Sequence, residues 1–138
     1  MKISPKMKNQ IIEEIEHVVY NMEKSHDPVE MLYYFSAIHG LINRVFNMEY
    51  DPELVFMHHV LSAVHTGFLG RIDAMRKGDP VIVLDDSYFK KLISLSINLK
   101  DKISENGNVD DTLKEFIVLL YATTGNGYYL KHKGLLKM

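Results

Sequence analysis

Residues 27–80, DPVEMLYYFSAIHGLINRVFNMEYDPELVFMHHVLSAVHTGFLGRIDAMRKGDP, are bounded and divided by the dipeptides Asp27-Pro28, Asp51-Pro52 and Asp79-Pro80. Each interval is about the length of one helix plus a turn. An aspartate in the N-cap position accepts hydrogen bonds from first-turn N–H groups that have no intrahelical partner. Proline in the next position loses nothing, because no donor is needed there. Asp27-Pro28-Val29-Glu30 adds a glutamate three residues after the cap, a capping-box arrangement with Asp in the usual Ser or Thr role. Ser4-Pro5 starts a helix by the same logic.

Between these starts the apolar residues recur with the helical period. Met7, Ile11, Ile15, Val18 and Met22 line one face of the first segment, and Glu13, Glu14, Glu16 and His17 take the other. The second segment, about Pro28 to Asn47, carries Leu32, Phe35, Ile38, Leu41, Ile42, Val45 and Phe46, joined by Met31, Tyr33 and Tyr34. The third, about Pro52 to Lys77, carries Leu54, Met57, Leu61, Val64, Phe68, Ile72 and Met75, with Gly78 placed to end it in a left-handed turn. Val81-Ile82-Val83-Leu84 is a lone β-like run with nothing to pair with, so it reads as an extended connector over the core. A fourth helix follows from about Ser87 to Glu105 and stops at Asn106-Gly107. A fifth starts near Asp110-Asp111-Thr112, and Thr124-Gly125-Asn126-Gly127 ends or kinks it. A short last helix is expected from Tyr128. No Pro, Gly or Ser-rich linker divides the chain. The expectation is therefore one all-α domain over residues 1–138, an up-and-down bundle of four to five helices with a short C-terminal helix.

Composition narrows the classes of function. With 138 residues and 46% hydrophobic content, the chain is large enough to bury one core. There is no cysteine, which excludes disulfides and thiolate chemistry and suits a reducing, cytoplasmic setting. No apolar run is long enough to span a membrane. The net charge of -2 argues against general nucleic-acid binding. The basic tail of Lys131, His132, Lys133 and Lys137 suits a helix C-terminus.

The histidines are the candidates for chemistry. His39 falls on the inward face of the second helix, and His58 and His65 lie two turns apart on one face of the third. Packed antiparallel, the two helices bring these three together, and neutral imidazole is a common ligand for divalent transition metals. The plainer role is a buried histidine hydrogen-bonded within the core, and no pair has the tight i,i+4 spacing typical of metal sites. Glu14-Ile15-Glu16-His17 and Glu23-Lys24-Ser25-His26 fit the Glu-x-x-His pattern of di-iron bundles, but both lie on the polar face of one helix and read as surface charge. Thr123-Thr124-Gly125-Asn126-Gly127 lacks the lysine and preceding strand of a phosphate loop and reads as a turn.

The arrangement resembles DinB-like metal-binding bundles, which implies a metal held by histidines from separate helices; His39, His58 and His65 are the positions that would serve. The close histidine pair of that family is missing. Cobalamin adenosyltransferases and HEPN-type ribonucleases are discouraged by the absence of their glycine-rich and Arg-x4–6-His patterns. Richness in Met, Ile, Lys and Tyr with Asp-Pro helix starts resembles an uncharacterised family of archaeal helical bundles, which implies the fold and brings no catalytic residues.

Because the second and third helices are apolar over a wide arc, the leading expectation is a non-enzymatic module that self-associates through them as a homo-oligomer. A metal-dependent or small-ligand enzyme built on the three histidines is the alternative.

Overall fold

The computed structural model describes residues 1–81, 83–122, 129 and 132–134. Among them are five helices, α1 (Pro5–Lys24), α2 (Pro28–Met48), α3 (Pro52–Lys77), α4 (Asp86–Ser104) and α5 (Asp110–Ala122), and no strand. The expected Thr123–Gly127 turn, most of the expected last helix, and Lys131 and Lys137 of the basic tail lie outside the described residues.

The caps work as their chemistry requires. Ser4 Oγ accepts from the Met7 N–H at 3.3 Å, Asp27 Oδ1 from Val29 at 2.9 Å and Asp51 Oδ1 from Glu53 at 2.8 Å. Asp79-Pro80 starts no helix; α4 begins at Asp86, next to the expected Ser87, and its cap is Asp85, whose Oδ1 accepts from the Ser87 N–H at 2.9 Å. Gly78 ends α3 at φ 76°, and the Asp79 N–H reaches back to the Ala74 carbonyl at 2.9 Å. At the end of α4 the left-handed position goes to Asn106 (φ 55°), not Gly107, and the Gly107 N–H closes the turn on Lys102 O at 2.8 Å. Asparagine tolerates that conformation better than most side chains do. Val81, Val83 and Leu84 belong to a connector, as expected: Val83 is exposed, Leu84 is buried, and the Leu84 N–H points at the Met75 sulfur.

Three-residue links join α1 to α2 and α2 to α3, which favours antiparallel neighbours. Cross-contacts settle the directions. Ser4, at the start of α1, donates from N–H and Oγ to Glu49, at the end of α2, at 2.8 and 2.7 Å. Lys8 and Glu16 of α1 meet Asn106 and Lys100 at the far end of α4, so these helices are also antiparallel. Helix directions therefore alternate along the chain. Spatial neighbours do not follow chain order, because α4 packs against α1 and α5 lies between α3 and α4. The closed order is α1-α2-α3-α5-α4.

Phenylalanines fill the middle of this ring. Phe35 of α2 meets Phe116 of α5 with ring centroids 6.2 Å apart, and Phe68 of α3 meets Phe89 of α4 edge-on at 5.6 Å. Ile11, Ile15, Met22, Ile38, Leu61 and Leu92, all fully buried, extend the core along the axis. Of the adjacent Tyr33, Tyr34 and Phe35, only Phe35 is inside; Tyr33 is 70% exposed and packs edge-on against Tyr34.

Replacing a central ring should therefore be severe. Phe68→Ala is expected to lower stability by about 3–5 kcal/mol, whereas Tyr33→Ala should stay within about 0.5 kcal/mol. Urea unfolding followed by circular dichroism reads both, and similar losses at the two positions would contradict this packing.

Candidate functional site: a histidine seam

The groove between α2 and α3 brings the three predicted histidines together. His39 of α2 lies between two rings of α3, 5.8 Å from His58 and 5.4 Å from His65 (centroid to centroid). The antiparallel pairing explains this. Moving one way along α2 from His39 to Phe46 corresponds to moving the other way along α3, where Phe46 packs edge-on against His58 at 5.6 Å. Sequence reading placed the histidines on inward faces. They are instead half-buried at the outer edge of the α2–α3 contact, because fully buried leucines, isoleucines and phenylalanines occupy the centre of each face. His59 is exposed, one helical step away, with its ring 5.9 Å from His58.

The environment disfavours charge. Burial lowers the pKa of His39 below the ordinary imidazole value, and repulsion from His65 and His58 lowers it further. Burial lowers His65 and His58 as well, with a smaller contribution from His59 at His58. The electrostatic neighbours that act on these rings are other histidines, not carboxylates. At neutral pH the seam is thus a set of uncharged imidazoles.

One polar atom in the seam stands out. His39 Nε2 is buried and has no hydrogen-bond partner among the described residues. Whichever tautomer the ring holds, this nitrogen carries either an unused proton or an unused lone pair. Leaving such a group buried and unpaired costs about 1–3 kcal/mol. The expectation that a buried histidine here would find a core hydrogen bond is not met at this atom.

The three rings form a row with His39 in the middle, not a finished chelate. Among the described residues no three His, Asp or Glu side chains are already gathered around one point as a metal would require. Helix geometry explains the row, since His58 and His65 are seven residues apart and their Cα atoms are separated by about 10 Å. The Glu-x-x-His patterns on α1 remain on the surface. Glu14 pairs with Arg44, His17 contacts Asn21 at 3.3 Å, and His26 is exposed.

Comparisons with known families, with curated proteins and with solved structures return no match.

A sign follows from the lowered pKa values. A histidine whose folded pKa lies below its unfolded value takes up its proton more readily when unfolded, so stability rises with pH. Above the ordinary value of about 6.5 both states are neutral and the seam adds no pH dependence. Below it, stability should fall, down to the lowered folded values. His39→Phe removes the unpaired nitrogen while keeping the bulk. It is expected to be at least as stable as the parent at pH 7 and to lose stability less steeply from pH 7 to 5. Chemical denaturation across that range tests this, and a steeper loss in the variant would contradict it.

Proposed function

We propose that this protein is a non-enzymatic helical module that self-associates through the outer face of α3. The observation that carries the reading is a gap in charge. From Val55 to Gly70, more than four turns of α3, there is no Asp, Glu, Lys or Arg, yet Phe56, His59, Ala63, Thr66, Leu69 and Gly70 are exposed. Solvent-facing helix surface normally carries charge, and a helix apolar around most of its circumference is normally covered. The fold accounts for much of the apolar arc of α2 and α3, since α2 lies between α1 and α3, and α3 between α2 and α5. The charge-free outer strip of α3 is what remains.

A second copy is the occupant that fits. The strip runs Phe56, His59, Ala63, Thr66, Gly70, at helical spacing. An antiparallel α3–α3 contact centred on Ala63 sets Phe56 of one copy opposite Gly70 of the other, seven residues to either side. Large meets small at both ends and Ala63 meets Ala63 on the axis, the self-complementarity that a two-fold interface needs. The neighbouring α5 also exposes two apolar residues, Ile117 and Val118. The slightly acidic overall balance favours a protein partner over nucleic acid. With no cysteine, the association requires no oxidising compartment, in keeping with the cytoplasmic setting expected from the sequence.

Gly70 offers a clean test. It has an ordinary helical backbone, and a Cβ placed there meets no atom within 4 Å. Gly70→Glu should therefore fold normally while placing a charge in the strip. Light scattering at ~10–100 micromolar, a range that detects modest affinities, should show a dimer for the parent and a monomer for the variant. Because the chain has no cysteine of its own, Ala63→Cys should oxidise to a disulfide-linked dimer, while Ser94→Cys on α4 should not. A parent that stays strictly monomeric would overturn the reading.

A further inference from the structure

At the end of the bundle where α2 begins, α3 ends and α4 begins, the described residues leave a cleft of about 360 Å³. We infer that this cleft binds a small zwitterion with an apolar side chain, an α-amino acid of the leucine or phenylalanine type.

The lining is divided in its chemistry. Ile72 of α3, Leu84 of the connector and Phe89 of α4 are buried and form an apolar floor, flanked by the half-buried Val29 and Met75. The Leu84 N–H, directed at Met75 Sδ at 3.3 Å, holds the connector against α3 and keeps this wall in place. Two side chains of opposite charge, Asp27 and Arg76, line the same cleft. An apolar lining with a few polar groups that fix orientation is the usual make-up of a small-ligand site. The volume lies at the lower end of the range for such sites, about 300–1,000 Å³, so the ligand is small.

The two charges decide its class. Asp27 and Arg76 are not paired with each other, and among the described residues neither has any other ion-pair partner. Asp27 Oδ1 accepts from the Val29 N–H at 2.9 Å, which leaves Oδ2 to accept from a ligand. A carboxylate alone would gain from Arg76 and be opposed by Asp27, and an amine alone would meet the reverse. An α-amino acid answers both. Its carboxylate accepts from the guanidinium fork, which matches that group in shape and charge. Its ammonium donates to Asp27, and its side chain covers Ile72, Leu84 and Phe89. A charged side chain would lie on that floor without a partner, which is costly.

The test uses the full untagged chain, isotope-labelled for NMR and titrated with L-leucine and L-phenylalanine up to ~20 mM, a range that detects millimolar affinities. Saturable shifts are expected at the amides of Val29, Met75 and Leu84. Isocaproate and isoamylamine, which each lack one charge of leucine, should bind at least about tenfold more weakly. L-lysine should do likewise. Asp27→Asn keeps a good N-cap, and Arg76→Gln keeps a helix-forming residue at an exposed position, so both should fold as the parent does. Each should weaken leucine binding at least about tenfold. Gly70→Glu should bind leucine as the parent does, which separates this cleft from the self-association face. Absence of a saturable shift with both amino acids would overturn the assignment. So would unchanged leucine affinity in Asp27→Asn or Arg76→Gln, or isocaproate binding as tightly as leucine, since apolar contact alone would then account for the binding.

Discussion

Two pairs of phenylalanines drawn from four helices join the bundle across its interior, and the order of the helices is tied to those pairs. Phe35 pairs with Phe116 and Phe68 with Phe89, so the pairs join helices that are not adjacent around the ring. A four-helix arrangement in chain order would set α4 beside α3. Here α5 stands between them and contributes Phe116, fully buried, to the middle. Close packing tolerates little empty space, so the extra ring and the fifth helix belong together. The link from Gly78 to Asp85 is correspondingly long, and it lays Leu84 over the core on the way. Thr112 then fixes the register of α5 by donating from Oγ1 to Asn98 of α4 at 3.0 Å.

Helix identity and most boundaries were legible in the sequence because they depend on local chemistry. Ser4, Asp27 and Asp51 cap helices whether or not the rest of the chain is present, and Gly78 provides a left-handed turn for the same reason. Asp79-Pro80 shows the limit of that logic. The dipeptide is as good a helix start as the others, but the chain must first travel from α3 to the far side of α5, and Asp85 caps α4 once it arrives. Neighbour order was not legible, because an amphipathic stripe specifies that a face is covered and not by which helix. The convergence of His39, His58 and His65 was legible, since antiparallel pairing after a three-residue link fixes which turns face each other. Their depth was not. It depends on how far the leucines and phenylalanines beside them push the two helices together. The missed signal was the absence of charge from Val55 to Gly70, readable in the sequence but meaningful only once the exposed side of α3 is known.

The seam is a place where packing and polarity conflict. An apolar residue at position 39 would fill the groove without leaving a buried nitrogen unpaired, and it would carry none of the cost that burial, and then His65 and His58, impose on a charged imidazole there. Local rules that agree everywhere else in a protein tend to be broken at sites with a purpose. The caps, the core and the alternating helix directions are mutually consistent here. Among the described residues, the unpaired Nε2 of His39 is one departure from that consistency.

Helix α3 carries three kinds of surface. One edge meets α2 and bears His58 and His65, another meets α5, and the outer strip from Phe56 to Gly70 has no Asp, Glu, Lys or Arg and, among the described residues, no neighbouring helix. A helix serving two neighbours needs a wide apolar arc, and that explains the composition of Leu54, Met57, Leu61, Val64 and Phe68, all fully buried. It does not explain Ala63, Thr66 and Gly70 on the open side, where lysine or glutamate would favour both the helix and its solubility. Glycine in an exposed helix interior is destabilising by about 1 kcal/mol relative to alanine, and no atom of the described fold approaches Gly70 closely enough to require it. On the proposed reading, a second α3 that presents Phe56 where the first presents Gly70 would make use of that open stretch of backbone, with the same sequence on both sides.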